Sequence, residues 1–98
     1  MYILIAADGS ISLEEVDDMK RFSIIENSKV AKSTSFLAIA ELAEEGHYWV
    51  DAEAVIELSA RGGDQQWIEG FWHMLKKVEP YGYSDLVNKR VKAHVEKS

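Results

Sequence analysis

The sequence predicts a small single domain of the α+β class spanning residues 1–98, and three observations carry that prediction. Between Gln65 and Glu79 the apolar residues Trp67, Ile68, Phe71, Met74, Leu75 and Val78 recur at three- and four-residue spacing, which collects them on one face of a helix. Tyr2 to Ala6 and His47 to Val50 are short runs of aromatic and aliphatic residues, too brief for helices, and read as strands. A length of 98 residues, 47% of them hydrophobic and only one a proline, suffices for a packed core without staples. Cysteine is absent, which removes disulfides, thiolate catalysis and thiolate metal sites together and fits a reducing, cytoplasmic setting. The opening apolar run has no basic leader and breaks at Asp8, so neither export nor a membrane span is expected.

Taken in order, Tyr2 to Ala6 is a buried strand ended by Asp8-Gly9. Two readings compete for the next segment. Asp-Gly can close a tight hairpin, placing Leu4, Ala6, Ile11 and Leu13 on one face. Alternatively Ser12 to Glu15 has the spacing of a capping box, with Leu13, Val16 and Met19 recurring at i+3, and a helix over roughly Leu13 to Lys20 is the favoured reading. Phe22 to Ile25 then forms a second strand and Glu26-Asn27-Ser28 a turn. From Ser33 to Glu45, Phe36, Leu37, Ile39, Ala40, Leu42 and Ala43 follow helical spacing, with Ser33, Thr34 or Ser35 as cap and Gly46 as stop. After the strand His47 to Val50, Asp51 caps a helix over Ala52 to Ala60, Gly62-Gly63 breaks it, and Asp64 caps the next, which Pro80 and Gly82 terminate. Over residues 87–96, Val91, Ala93 and Val95 alternate with charged neighbours as a strand does, while Val87, Val91 and Val95 also fit a helix. The strand reading makes a hairpin of Tyr81 to Tyr83 and Arg90 to Glu96, closed by Ser84 to Lys89.

From Ser33 to Glu96 the order is therefore helix, short strand, helix, helix, hairpin, and it resembles a winged-helix domain by element order alone. Residues 1–32 become a strand-helix-strand N-terminal extension to a winged-helix-like core over 33–96. The resemblance implies that the short strand joins the hairpin in a small sheet and that Gln65 to Glu79 occupies the place of the helix commonly set in a DNA major groove. The extension is acidic where a DNA-binding arm would be basic.

Charge is unevenly distributed. Residues 1–63 carry twelve acids against five bases and residues 64–98 five acids against six bases, within a net charge of -6. The outer face of the Gln65 to Glu79 helix shows Gln66, Glu69, His73, Lys76 and Lys77 with Trp72 at its border, and the hairpin adds Lys89, Arg90 and Lys92. Glutamine and lysine can read base edges or phosphates, so these nine residues form the candidate interaction surface. For the helical part, an ordinary solvated face held by Glu69–His73 and His73–Lys77 pairs is the favoured reading. Glu14, Glu15, Asp17 and Asp18 form a second candidate, an acidic docking patch for a basic partner or a dipole-compensating helix start.

Chemistry-bearing motifs are missing. Asp8 to Glu15 is similar to the second half of an EF-hand loop, but the first half would place Leu4 and Ala6 as ligands, which offer no side-chain oxygen. His47, His73 and His94 lack zinc-ligand spacing, and Gly62-Gly63 has no following lysine to make a phosphate loop. No catalytic residue, metal or cofactor is expected, and the chain is not read as an enzyme. The expectation is a small non-catalytic regulatory or adaptor module that binds another protein, with a winged-helix DNA-binding regulator as the alternative that the net charge disfavours.

Overall fold

The computed structural model describes residues 1–27 and 33–97. Strand β1 (Tyr2–Ile5) pairs antiparallel with β2 (Ile11–Glu14) and parallel with β3 (Ser23–Glu26). After the single turn α1 (Thr34–Leu37) come the hairpin β4 (Ala40–Glu44) and β5 (His47–Asp51), then α2 (Ala52–Ser59) and α3 (Gln65–Val78). A 3-10 turn at Glu79–Tyr81 leads into β6 (Ser84–Asp85) and β7 (Arg90–Lys97). All seven strands belong to one mixed sheet in the order β2-β1-β3-β7-β5-β4, with β6 pairing the start of β7. The α+β class stands.

The sheet has one apolar face. Ile3, Ile5, Leu13, Ile24, Val50, Val91 and Ala93 are buried from it, as the period-two alternation of strands requires, and they meet Val55 of α2 and Trp67, Phe71, Met74 and Leu75 of α3. Helix α2 touches β2 as well as β5 and β7, strands far apart in the sheet order, so the sheet curls around the helices. Trp67 stacks on Phe71 at 5.4 Å with their planes 6° apart, and its indole N–H donates to the Val16 carbonyl at 2.7 Å. That bond ties α3 to the connection between β2 and β3. On the same connection, the Met1 amino group donates to the carbonyls of Asp18 and Arg21, each at 2.9 Å.

Local signals hold where a side chain caps its own helix. The Asp51 carboxylate accepts from the Ala54 N–H and the Asp64 carboxylate from the Trp67 N–H, each at 3.1 Å, so both helices start where their caps predict. Ser33 caps α1 by accepting from the Phe36 N–H at 3.1 Å. Strand β3 falls on the expected Phe22 to Ile25 run within one residue, and residues 90–97 are strand. Ser28 of the expected turn lies outside the described residues.

Three expectations are corrected. Leu13 to Lys20 is not a helix: Ile11–Glu14 is the second strand of a hairpin whose register sets Ile3 against Leu13 and Ile5 against Ile11. The turn explains why. Gly9 sits at φ 86°, the Asp8 carboxylate accepts from both the backbone N–H and the hydroxyl of Ser10, and Glu15 at φ 51° ends the strand in the left-handed region. A helix would also have claimed the Val16 carbonyl that Trp67 uses.

The helix over Ser33 to Glu45 is also corrected, to one turn followed by a strand. Its alanines and leucines tolerate a helix, but β5 offers an open edge, and β4 satisfies it through a two-residue turn with Gly46 at φ 78°. Finally, the short arm of the C-terminal hairpin is β6 at Ser84–Asp85, not Tyr81 to Tyr83. Tyr81 belongs instead to the 3-10 turn Glu79–Tyr81, which carries Pro80 in its first positions and which Gly82, at φ 84°, closes.

The first helix of the winged-helix order is therefore absent as such, and residues 1–26 run as three strands rather than strand-helix-strand. What persists of that order is β5, α2, α3, β6 and β7. Val91 of β7 pairs with Val50 on one edge and Ser84 on the other, which sets β7 between β5 and β6.

Ala60 closes α2 at φ 60° and is exposed, a conformation in which a Cβ crowds the following carbonyl. Ala60→Gly is expected to stabilise the fold by about 0.5–1 kcal/mol even after glycine's larger unfolded-state entropy, raising Tm by roughly 2–8 °C in a thermal melt.

Candidate interaction surface

The nine residues singled out along α3 and the hairpin lie on two surfaces. Gln66, Glu69, His73, Lys76 and Lys77 are exposed on α3, with Trp72 half-buried beside them and edge-on to Phe71 at 5.7 Å between ring centroids. Lys89 comes close to part of this set: with Glu53 and Ile56 of α2, Trp72 and Lys76 of α3, and Leu86, it lines an open groove of about 630 Å³. Arg90 and Lys92 do not join it. They alternate with buried Val91 and Ala93 and so project from the opposite face of the sheet.

On that opposite face Trp49 of β5 lies directly across from Lys92 and from Glu41 of β4. The Arg90 guanidinium stands 4.4 Å from the Trp49 ring centroid and the Lys92 ammonium 5.2 Å, both within cation–π range. Both cations also meet acids. Arg90 reaches Glu41 and Asp85, each at 3.3 Å, and Lys92 reaches Glu44 at 2.7 Å. Lys89 pairs with Glu53 at 3.1 Å. Every hairpin cation proposed as a phosphate contact is thus matched by an acid of the same chain, whereas Lys76 and Lys77 take no ion-pair partner among the described residues.

The groove is bounded on one side by a tightly held turn between β6 and β7. The Asp85 carboxylate accepts from the Asn88 backbone N–H at 3.2 Å and from its side-chain amide at 2.7 Å, while Glu79 accepts from the Leu86 N–H at 3.0 Å. These bonds leave Val87 88% exposed at the tip, beside half-buried Leu86. The side-chain amide of Asn88 is the main reason the Asp85 carboxyl is held below its ordinary range, followed by the Asn88 backbone N–H, with the Arg90 charge contributing less.

The acidic residues Glu14, Glu15, Asp17 and Asp18 occupy a strand end and a turn, not one helix face. Glu14 accepts from the Ser12 hydroxyl at 2.8 Å, Asp17 pairs with Arg61 at 3.1 Å, and the Asp18 carboxylate accepts from the Lys20 N–H at 3.0 Å. The Lys20 N–H is the main cause of the lowered Asp18 pKa. Among the described residues, no group of three or more His, Asp or Glu side chains is clustered as a metal site. No buried side-chain nitrogen or oxygen there lacks a hydrogen-bond partner. His47 and His94 face each other across β5 and β7 with ring centroids 6.4 Å apart.

Sequence reasoning missed Ile56, Leu86, Val87 and Trp49. Ile56 and Leu86 belong to different elements, and only their spatial neighbours reveal the groove; Val87 carries no signal in the sequence beyond its periodicity. Trp49 could have been found from the strand assignments, since alternation places it on the outer face with Lys92. The chain matches no protein-family model, no curated protein and no solved structure. No helix among the described residues is long and apolar enough to cross a membrane.

Asp85 yields a pH test. Its folded pKa lies below the ordinary 3.8, so its contribution to stability is fully present above that value and is lost as pH falls through the folded pKa. Asp85→Asn should be less stable than wild type by a constant margin above about pH 5, and the margin should shrink below about pH 4 as the wild-type carboxyl protonates. Parallel thermal melts across pH 2–7, a range of about five units around the carboxylate pKa, read this out.

Proposed function

We propose that this chain is a small non-catalytic regulatory or adaptor module that acts by binding another protein, through the groove between α2, α3 and the β6–β7 turn. The observation that carries this reading is the open groove lined by half-buried Ile56, Trp72 and Leu86 on an ordered frame, with Val87 exposed on the adjoining turn. Buried aromatic anchors with a polar rim are the usual centre of protein interfaces, and a frame ordered before binding spares the entropy of arranging it. A cytoplasmic setting belongs to the same proposal and rests on the absence of cysteine.

The alternative, a winged-helix DNA-binding regulator, draws on the surviving order β5, α2, α3, β6, β7 and on Gln66, Lys76 and Lys77 along α3. Electrostatics weigh against it. Affinity for DNA grows with the number of free cations that displace counterions from phosphates, and Lys89, Arg90 and Lys92 are already paired with Glu53, Glu41, Asp85 and Glu44. The acids of these pairs cancel the local positive field.

Titration with mixed genomic DNA fragments at about 50 and 150 mM salt separates the two readings. Weak retention at low salt, lost at the higher salt, is expected. Sub-micromolar binding that persists at the higher salt and disappears in a Lys76→Glu, Lys77→Glu double variant would put the DNA regulator first.

A further inference from the structure

Resting on the protein-binding reading, we infer that the occupant of the α2–α3 groove is an acidic amphipathic segment of a partner protein. Its apolar side chains would pack on Ile56, Trp72 and Leu86, and its carboxylate would pair with Lys76. The groove's six lining residues include two lysines and one glutamate, and that glutamate, Glu53, is already bound to Lys89 at 3.1 Å. Lys76 therefore remains as the charge on the rim with no ion-pair partner among the described residues, and Lys77 adjoins it in sequence.

Three kinds of occupant can be compared. A basic segment would meet Lys76 and Lys89 with only Glu53 to offset them, and like charges brought together at an interface oppose association. A wholly apolar segment would cover Lys76 and strip water from an ammonium left without an acceptor, which is costly. An acidic segment alone gives Lys76 a partner while its apolar face fills the groove. The position of Lys76 in the last turn of α3 favours a cation there through the helix dipole, but that effect does not require an adjoining apolar groove.

The rim geometry suits a partner met in a set orientation. Asp85 holds Asn88, Glu79 holds the Leu86 N–H, and Lys89 stands at φ 52° with its ammonium on Glu53. The apolar wall formed by Leu86, with Val87 at its tip, is thereby ordered before anything binds.

Selection of a random peptide display library against the intact protein tests the inference, followed by affinity measurements on synthetic copies of the enriched peptides. Enrichment is expected for peptides carrying at least two large apolar residues and an Asp or Glu. Trp72→Ala should weaken them at least tenfold. Lys76→Glu, an exposed change that leaves the core untouched, should weaken them by a similar factor and turn a repeated selection toward Lys- and Arg-bearing peptides. Enriched peptides that lose affinity in Trp72→Ala but carry no acid, or that bind Lys76→Glu unchanged, would overturn the acidic occupant while leaving the groove as a protein-binding site. If no enriched peptide responds to Trp72→Ala, to Lys76→Glu or to Val87→Asp at the exposed tip, the groove reading fails as well. Amide spectra of each variant matching the wild type establish that a lost affinity is not a lost fold.

Discussion

Strand β7 is the constraint on which the other elements depend, because its backbone is hydrogen-bonded along both edges. Arg90 to His94 pair with β5, Val95 to Lys97 pair with β3, and Arg90 and Val91 also pair with β6. The β4–β5 hairpin and the β1–β2–β3 group reach one another in the sheet only through this strand. Its alternation then sorts the molecule into two sides. Val91 and Ala93 turn inward and give α2 and α3 their packing surface, while Arg90, Lys92 and His94 turn outward over Trp49 and His47.

The same alternation governs the electrostatics. A chain of net charge -6 has its bases concentrated toward the C-terminus, and a basic hairpin by itself suggests a phosphate-binding stripe. Folding instead lays that hairpin beside strands and helices drawn from the acidic part. Glu41, Glu44 and Glu53 all come from the first 63 residues and meet Arg90, Lys92 and Lys89. The pairs neutralise one another, and the end of α3 next to an apolar groove keeps two lysines, Lys76 and Lys77, without an ion-pair partner among the described residues. That combination is what the proposed protein-binding reading rests on.

About half of the architecture was legible in the residues, and the division follows the range of the interactions. Both long helices were read with their starts correct because Asp51 and Asp64 bond N–H groups three residues onward, a signal wholly contained in the sequence. The strand at Val91, Ala93 and Val95 was read from alternation against charged neighbours. The two misread helices share a cause. Ser12 to Glu15 and Ala40 to Glu44 contain residues that a helix accepts, yet each lies beside a strand with an open edge, Tyr2–Ile5 and His47–Asp51 respectively. Of the candidate surface, Trp72 and Lys76 were named from helical spacing, but the apolar partners that make a groove of them were not.

By itself the sequence determined the α+β class, the two capped helices, the core-facing residues of α3 and the strand character of His47 to Val50, and it left residues 87–96 open between strand and helix. These rest on capping bonds and periodicities that span a few residues. Only the tertiary structure decided that Ile11 to Glu14 and Ala40 to Glu44 are strands, that β7 unites seven strands in one sheet, and that the hairpin cations are neutralised. A strand's hydrogen bonds and an ion pair's partner can lie tens of residues away, as Glu44 does from Lys92, so a segment's own composition cannot select them.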